Sequence, residues 1–206
     1  MGGIVIKPSD VFYDLTHRTG FYNIMPLANI PSVLTHGILS NELANTLPHK
    51  SVAMGEIQDR RDRVSVPNGL KLHQYANLYF DARNPMMYKR QSEEICVLKI
   101  SARILDLPNV VIADRNASSS YVRFYEPDMA FDRLNFDLIY AKYWTSPDPF
   151  EQFKNKSIKC AEILVPEMIP SQYIIAVAVK NSEDEQYLLD LGIDKRIYID
   201  QELFFR

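Results

Sequence analysis

KCAEILVP, residues 159–166, places a single acidic side chain, Glu162, inside an apolar run from Ile158 to Val165. A run of this length and composition predicts a buried strand. A carboxylate in such a strand loses its hydration and needs a charged partner, hydrogen bonds or a chemical role. In strand alternation Glu162 shares a face with Cys160 and Leu164, which is apolar. A solvent-facing glutamate at a strand edge is the competing interpretation.

The stretch before this strand combines aromatic and basic side chains. Tyr143 and Trp144 precede TSPDPFEQFKNKS, residues 145–157, which we interpret as a polar loop. Lys154, Lys156 and Lys159 follow. Aromatic rings beside cations bind unpaired nucleotides, by stacking and by contacts to phosphate. A core aromatic pair beside a solvated loop explains the same pattern.

A second charged motif, IQDRRDRV at residues 57–64, alternates three arginines with two aspartates. One interpretation is a helix surface with ion pairs. The other is that one arginine binds a diphosphate, which the planar guanidinium suits better than an ammonium does. The segment at residues 21–42 predicts a strand, a turn and a helix capped by Asn29. The backbone donors at the helix start, where Pro31 supplies none, could meet an anion, but an ordinary strand–helix unit is the favoured interpretation. The chain contains no GxGxxG and no P-loop motif.

Irregularly spaced short strands and helices predict an α+β fold in one domain, residues 1–206. The predicted strands are residues 20–24, 77–80, 95–100, 110–113, 158–165, 173–179 and 196–199. The predicted helices are residues 29–37, 53–64, 85–90, 136–143 and 182–191.

Composition and charge indicate which classes of protein and which kinds of site this chain is compatible with. The 206 residues include no signal-like segment and no apolar run of 18 residues, so we expect a cytoplasmic protein without a membrane span. Two cysteines in apolar runs suit buried thiols, and the absence of CxxC or clustered His and Cys predicts no metal site. The net charge is −3, but residues 49–103 are basic and residues 181–206 are acidic. A local polyanion site is therefore compatible with an acidic chain.

Several segments, taken in order, resemble DarT-type DNA ADP-ribosyltransferases, the toxins of DarT–DarG systems. The similar stretches are YNIMPLANIPSVLTHGIL, AMGEIQDRRDRVSVP, NLYFDARNPMMY, IADRN with VRF after it, and AKYWTSPDPFEQFKNKSIKCAEILVP. The resemblance implies a PARP-like mono-ADP-ribosyltransferase fold, with mixed or antiparallel sheets and flanking helices. It also implies NAD⁺ as a consumed co-substrate, single-stranded DNA as acceptor, and a macrodomain antitoxin of the DarG type as partner.

The same resemblance implies roles for individual residues. Glu162 is expected to be the catalytic glutamate, and Arg61 to act with it and to bind the phosphates of NAD⁺. The other residues expected to contact the cofactor are Tyr22, Asn23, Met25, Asn29, Leu39, Gln58 and Tyr79. Those expected along the acceptor and DNA path are Tyr143, Trp144, Arg115, Asn116, Arg123, Lys154, Lys156 and Lys159.

The chain departs from the family pattern in two places. Many members carry His-x-Thr where this chain has Asn23, Ile24 and Met25, and members often have histidine where Asn116 follows Arg115. Met25 cannot hydrogen-bond a ribose. The family includes thymine-modifying and guanine-modifying branches, and the missing histidines favour guanine.

The leading hypothesis is transfer of ADP-ribose from NAD⁺ to a base in single-stranded DNA by a monomeric enzyme. A second hypothesis keeps the same chemistry with RNA, protein or a small molecule as acceptor. A third is a non-catalytic module that binds nucleotides or DNA. A costly buried carboxylate argues against the third, because binding alone has less need of one.

Overall fold

An eight-stranded mixed sheet forms the centre of the computed structural model, which describes residues 6–51 and 55–206. The strands in chain order are β1 (Gly20–Pro26), β2 (Ile38–Leu39), β3 (Tyr75–Tyr79), β4 (Ile95–Ser101), β5 (Val111–Ala113), β6 (Phe124–Tyr125), β7 (Glu162–Pro166), β8 (Met168–Ile169), β9 (Ile174–Val179) and β10 (Arg196–Ile199). The large sheet has the order β10-β9-β4-β1-β3-β7-β5-β6, and β2 pairs with β8 in a separate antiparallel ribbon. Among these pairs β10 and β9 are parallel and the others antiparallel.

Helices pack around this sheet. They are α1 (Pro8–Thr16), α2 (Ile30–His36), α3 (Asn41–Ala44), α4 (Gly55–Asp62), α5 (Pro85–Arg90), α6 (Pro127–Ala130), α7 (Phe136–Ile139), α8 (Pro149–Lys159) and α9 (Ser182–Asp190). Short 3₁₀ turns occur at Leu27–Asn29, Leu72–Gln74, Ala102–Asp106, Phe131–Arg133 and Ser171–Tyr173. The predicted α+β class is confirmed.

Strand β1 shows how alternation builds two cores. Phe21 is fully buried in the main apolar cluster, while Ile24 is buried in a second cluster with the half-buried Tyr22 packed against it. Strand β1 pairs with β4 along its whole length, from Gly20 opposite Ser101 to Pro26 opposite Ile95. Successive side chains of a strand point to opposite faces, so β1 contributes to both cores.

Strand β7 lies between two strands that precede it in the chain. Its first residue, Glu162, is in register with Tyr79 on β3 and with Ala113 on β5. The three strands therefore bring residues far apart in sequence to one point of the sheet.

Helix α8 corrects the prediction of a loop at residues 145–157 and a strand from residue 158. Asp148 caps the helix through a 2.8 Å bond from the backbone N–H of Phe150, and Pro149 is at the first helical position. Both features are typical of helix starts. Ile158 belongs to the last turn of α8 and is buried there, and the strand begins at Glu162. Burial alone does not distinguish an inward-facing helix turn from a strand.

The other predicted elements agree with the structure to different degrees. The strands predicted at 95–100 and 196–199 are confirmed, and the helix predicted at 136–143 is shorter, ending at Ile139. Residues 53–54 of the predicted helix 53–64 lie outside the described residues, and α1 was not predicted. Gly37 ends α2 with φ of +79°, and a Cβ there would lie 2.4 Å from the carbonyl oxygen of Ile169, so this position requires glycine.

Candidate active site

A cavity of about 350 Å³ opens beside β1, β3, α4 and α5. Its volume falls within the range of small-molecule binding sites. Seven of the eight residues predicted to contact a cofactor line it: Asn23, Met25, Asn29, Leu39, Gln58, Arg61 and Tyr79. Tyr22 is not in the lining. The structure thus brings together segments separated by more than fifty residues in the chain.

Glu162 is fully buried and is held by two partners. Arg61 Nη1 donates to its Oε2 at 2.9 Å and to its Oε1 at 3.3 Å. The backbone N–H of Ala117 donates to Oε1 at 2.8 Å. These contacts compensate for the hydration that the carboxylate loses, and they fix its orientation. The buried carboxylate therefore has the partner that its place in the sequence required.

Arg61 connects this carboxylate to the cavity. It lies in the last turn of α4, is 7% exposed and lines the cavity. A guanidinium has five N–H donors in a fixed plane, so a contact through Nη1 leaves donors for a second anion.

Tyr79 lies in register with Glu162, and Tyr22 lies in register with Tyr79 on the next strand. Burial raises the pKa of Tyr79, and the carboxylate of Glu162 raises it further. Burial also raises the pKa of Tyr22 to about 12. Both hydroxyls therefore stay protonated at neutral pH and can donate a hydrogen bond.

The asparagines of the cavity wall are already engaged. Asn23 Nδ2 donates to the carbonyl oxygen of Asn77 at 3.0 Å. Asn29 does not cap α2 through its side chain. Its amide instead donates to the Lys50 carbonyl at 2.7 Å and accepts from the Lys50 N–H at 3.0 Å. Asn29 therefore fixes the shape of the wall by joining two loops.

Gln58 contributes to the cavity a polar group that lacks a hydrogen-bond partner. Its Oε1 is buried and has no hydrogen-bond partner within the described part of the chain. A buried acceptor without a donor is costly, typically by about 1–3 kcal/mol. A ligand with an N–H group at this point of the cavity would supply the missing donor.

The residues predicted for the acceptor side differ in exposure. Tyr143 is 71% exposed, and the exposed cations are Arg123, Lys154 and Lys156. Arg115 bonds to Asp114 at 3.1 Å. Asn116 lines the cavity, and its backbone N–H donates to the Ser157 carbonyl of α8.

Lys159 differs from the exposed lysines of its helix. It is 1% exposed, and its Nζ donates to Asp81 and, at 2.9 Å, to the Ile139 carbonyl. Burial lowers the pKa of Lys159, and the carboxylate of Asp81 opposes this shift. Its ammonium group is not available to a phosphate, so we leave Lys159 out of the acceptor site.

Three contributors to this region were not predicted from the sequence. The Ala117 N–H is a backbone donor and carries no side-chain signature. Tyr88 and Phe205 pack against Trp144, with ring centroids 6.2 Å and 5.9 Å from it. Tyr88 lies in PMMYKR, where an aromatic residue directly before Lys89 and Arg90 was the available sequence signal. The contact of Phe205 is long-range and has no local signature.

The buried groups near the cavity predict how stability depends on pH. Burial raises the pKa of the Cys160 thiol from 9.0 to about 12, as it does for Tyr22 from 10.0 to about 12. The unfolded chain ionises first, so each group contributes stability that is present below pH 9–10 and lost as pH rises toward 12. The slope is at most about 1.4 kcal/mol per pH unit for each group.

We expect the free energy of unfolding in urea to fall from pH 9 upward. Cys160→Ala and Tyr22→Phe should each flatten this fall. A pH dependence identical to that of the unsubstituted chain in both variants would contradict the assignment.

Within residues 6–51 and 55–206, no three His, Cys, Asp or Glu side chains are arranged to hold a metal ion. Within the same ranges, no helix has both the length and the apolar character needed to cross a bilayer.

Comparison with protein families gives a match over most of the chain. The family described as ssDNA thymidine ADP-ribosyltransferase, DarT, matches residues 22–205. A DNA ADP-ribosyl transferase of Thermus sp. strain 2.9 is 30% identical over 174 residues, covering 78% of this chain and 81% of the relative. A DNA ADP-ribosyl transferase–DNA ADP-ribosyl glycohydrolase fusion protein of Thermosipho africanus is 28% identical over 174 residues, covering 79% of this chain. The match spans 42% of the fusion protein.

Solved structures of similar chains share the fold. Thermus sp. 2.9 DarT in complex with ADP-ribosylated ssDNA has a TM-score of 0.78 at 27% identity, covering 91% of this chain and 96% of that one. The same protein with NAD⁺ has a TM-score of 0.73 at 26% identity, covering 90% and 96%. Thermosipho africanus DarTG with ADP-ribose has a TM-score of 0.79 at 27% identity, and the match covers 91% of this chain and 51% of that one.

Proposed function

This chain belongs to the DarT family of DNA ADP-ribosyltransferases, and we propose that it transfers ADP-ribose from NAD⁺ to a base in single-stranded DNA. The observation that carries this proposal is the fully buried Glu162, held by Arg61 and the Ala117 N–H beside the cavity. The NAD⁺ and ADP-ribosylated DNA complexes of the Thermus relative support the choice of both substrates.

The reaction we propose breaks one bond and forms one. The bond between nicotinamide and C1′ of its ribose breaks, and the electron pair leaves with nicotinamide. The cationic sugar that remains is stabilised by the carboxylate of Glu162. A nitrogen of the base attacks C1′ and loses its proton to the carboxylate or to solvent.

Arg61 serves both the carboxylate and the diphosphate in this scheme. Its Nη1 holds Glu162 at 2.9 Å, and the residue also lines the cavity, so we assign its remaining donors to the diphosphate. The guanidinium therefore positions the acid relative to the bound dinucleotide, which places the labile sugar within its reach.

Gln58 gives a test of NAD⁺ binding that is separate from catalysis. We propose that its buried Oε1 accepts from an amide or amino N–H of NAD⁺. Gln58→Ala is expected to raise the Michaelis constant for NAD⁺ by about tenfold, the loss of roughly one buried hydrogen bond. Thermal stability should not fall, because this oxygen accepts no hydrogen bond from the residues that the structure describes. An unchanged Michaelis constant would contradict the role.

The base is proposed to be guanine. Support comes from Asn23 and Asn116, which stand where family members often carry histidine. Thymine is the competing candidate, because the matching family is described as acting on thymidine. Guanine and thymine differ in ring size and hydrogen-bond pattern, so a pocket that accepts one should discriminate against the other.

Mass spectrometry of short oligonucleotides after incubation with NAD⁺ tests both steps. Two single-stranded oligonucleotides are compared, one with a single guanine and the other with a single thymine at the same position. Only the oligonucleotide that contains the modified base should gain the mass of one ADP-ribose. RNA of the same sequence and a protein substrate serve as alternative acceptors. Nicotinamide release without modification of any DNA would remove the proposed acceptor, and tight NAD⁺ binding with no release would favour a binding module.

We also propose a domain organisation, a location and a partner for this chain. Residues 1–206 are proposed to form one ADP-ribosyltransferase domain that acts as a monomer in the cytoplasm, where NAD⁺ and DNA meet. A macrodomain antitoxin of the DarG type is the proposed partner, and the role is that of a toxin. Support comes from the Thermosipho relative, in which a DNA ADP-ribosyl glycohydrolase is fused to the transferase. Co-expression with such a glycohydrolase should relieve growth inhibition.

A further inference from the structure

Three aromatic side chains from distant parts of the chain meet beside helix α5. Tyr88, Trp144 and Phe205, hereafter the aromatic wall, contact one another edge to face, with interplanar angles of 75–86°. The ring centroids of Tyr88 and Phe205 are 5.2 Å apart. Tyr88 is 53% exposed, and the other two are half-buried. The aromatic wall is thus ordered by its contacts but remains open to solvent.

Arg83 holds the aromatic wall together. Its guanidinium carbon lies 4.1 Å from the centroid of Phe205. Its Nη1 donates to the Lys142 carbonyl at 2.9 Å and its Nε to the Glu202 carbonyl at 3.2 Å. One side chain therefore joins the segment before Trp144 to the turn that carries Phe205.

Arg83 is itself fixed to the turn after β3. The backbone N–H of Arg83 donates to Asp81 Oδ1 at 3.0 Å. The same carboxylate accepts from the buried Lys159, at the end of α8. The aromatic wall is thereby tied to the elements that position Glu162.

The aromatic wall is joined to the cavity through helix α5, although its three residues are not themselves in the cavity lining. Tyr88 lies on α5, and Pro85, Met86 and Lys89 of the same helix line the cavity. Tyr88 is the most exposed ring of the three, and Arg83 lies over the ring of Phe205. An exposed aromatic ring near a guanidinium suits an unpaired base on its phosphodiester backbone. The base of the nucleotide next to the acceptor would contact this surface when the acceptor base enters the cavity.

We propose that the aromatic wall binds the nucleotide adjacent to the acceptor base by stacking, and that Arg83 positions the wall. This inference rests on the proposed function. It assigns Tyr88 and Phe205 to substrate binding and makes Arg83 a positioning residue.

A coupling experiment with abasic oligonucleotides tests the inference. The substrate carries one acceptor base, and the neighbouring base on one side or the other is replaced by an abasic residue. With the unsubstituted enzyme, one of the two abasic oligonucleotides should show a Michaelis constant raised by about tenfold, the effect of losing one stacked base. In Tyr88→Ala and Phe205→Ala the Michaelis constant for the intact oligonucleotide should rise by a similar factor. Replacing the neighbouring base by an abasic residue should then raise this constant little further.

Tyr13→Ala is the matched control, because Tyr13 is also on a helix and is 49% exposed. It should keep the full sensitivity to the abasic change. Arg83→Ala should resemble Phe205→Ala, whereas Arg83→Lys should recover only part of the affinity, since an ammonium cannot make both carbonyl bonds and the ring contact in one plane.

The outcomes separate the two proposals. If the unsubstituted enzyme modifies DNA but no variant changes the response to abasic neighbours, the inference fails and the function stands. The same holds if Tyr88→Ala alters inhibition by a glycohydrolase partner while leaving the oligonucleotide kinetics unchanged. If the unsubstituted enzyme modifies no oligonucleotide, the proposed function fails, and the inference fails with it.

Discussion

Glu162→Gln is expected to lower the rate of ADP-ribose transfer by about 10³-fold, from the loss of charge stabilisation and of a proton acceptor. Glutamine keeps the size of the side chain and an oxygen that can accept from the Ala117 N–H, which donates at 2.8 Å in this structure. The fold should therefore persist, although Arg61 loses its anionic partner. Single-turnover transfer to a labelled oligonucleotide at saturating NAD⁺ measures the change.

The strand offers a matched control for this substitution. Glu167 follows the end of β7 and is exposed, so Glu167→Gln should leave the transfer rate unchanged. Circular dichroism and an NAD⁺ titration of Glu162→Gln check that folding and binding survive. Near-normal transfer by a folded Glu162→Gln variant would remove the role that we assign to this carboxylate.

Lys159→Met is expected to produce the largest loss of stability, about 3–5 kcal/mol, because it leaves a partly buried carboxylate without its cation. Lys159 is 1% exposed, bonds to Asp81 and donates to the Ile139 carbonyl at 2.9 Å. The methionine fills a similar volume, so the loss reports the missing charge and hydrogen bonds. Urea unfolding gives the free energy of unfolding.

Lys156→Met is the control, since Lys156 is exposed on the same helix and its replacement should change stability by no more than about 0.5 kcal/mol. The double variant Asp81→Asn with Lys159→Met should cost less than the sum of the single changes, because both charges are then removed. Equal effects of the substitutions at 156 and 159 would show that the buried pair does not stabilise the fold.

The parts of the fold that sequence predicted best have strong local patterns. The strand predicted at 196–199 has the bounds found in the structure, and the burial of Glu162 followed from its apolar neighbours. The helix α8 was missed because Phe150 and Phe153, 86% and 66% exposed, interrupt the pattern of an apolar inner face. Its start, Asp148 followed by Pro149, was a readable helix signal that the polar composition obscured.

Other features depend on contacts that no local pattern encodes. Three lysines follow one another along α8, and their spacing does not show that Lys159 alone turns inward to meet Asp81, 78 residues earlier. Arg61 and Glu162 are 101 residues apart in the chain. The sequence predicted only that both lie at one cleft, not that they form a pair. Long-range contacts of this kind are decided by how elements pack, which composition and periodicity do not specify.

The place of β7 between β3 and β5 has a consequence for biosynthesis. β3 and β5 share no hydrogen bonds with each other in this sheet, so they remain separate edges until residues 162–166 have left the ribosome. A nascent chain shorter than this has no acid to pair with Arg61 and exposes two unpaired strand edges. We therefore expect activity to appear only after β7 has been synthesised and has joined β3 to β5.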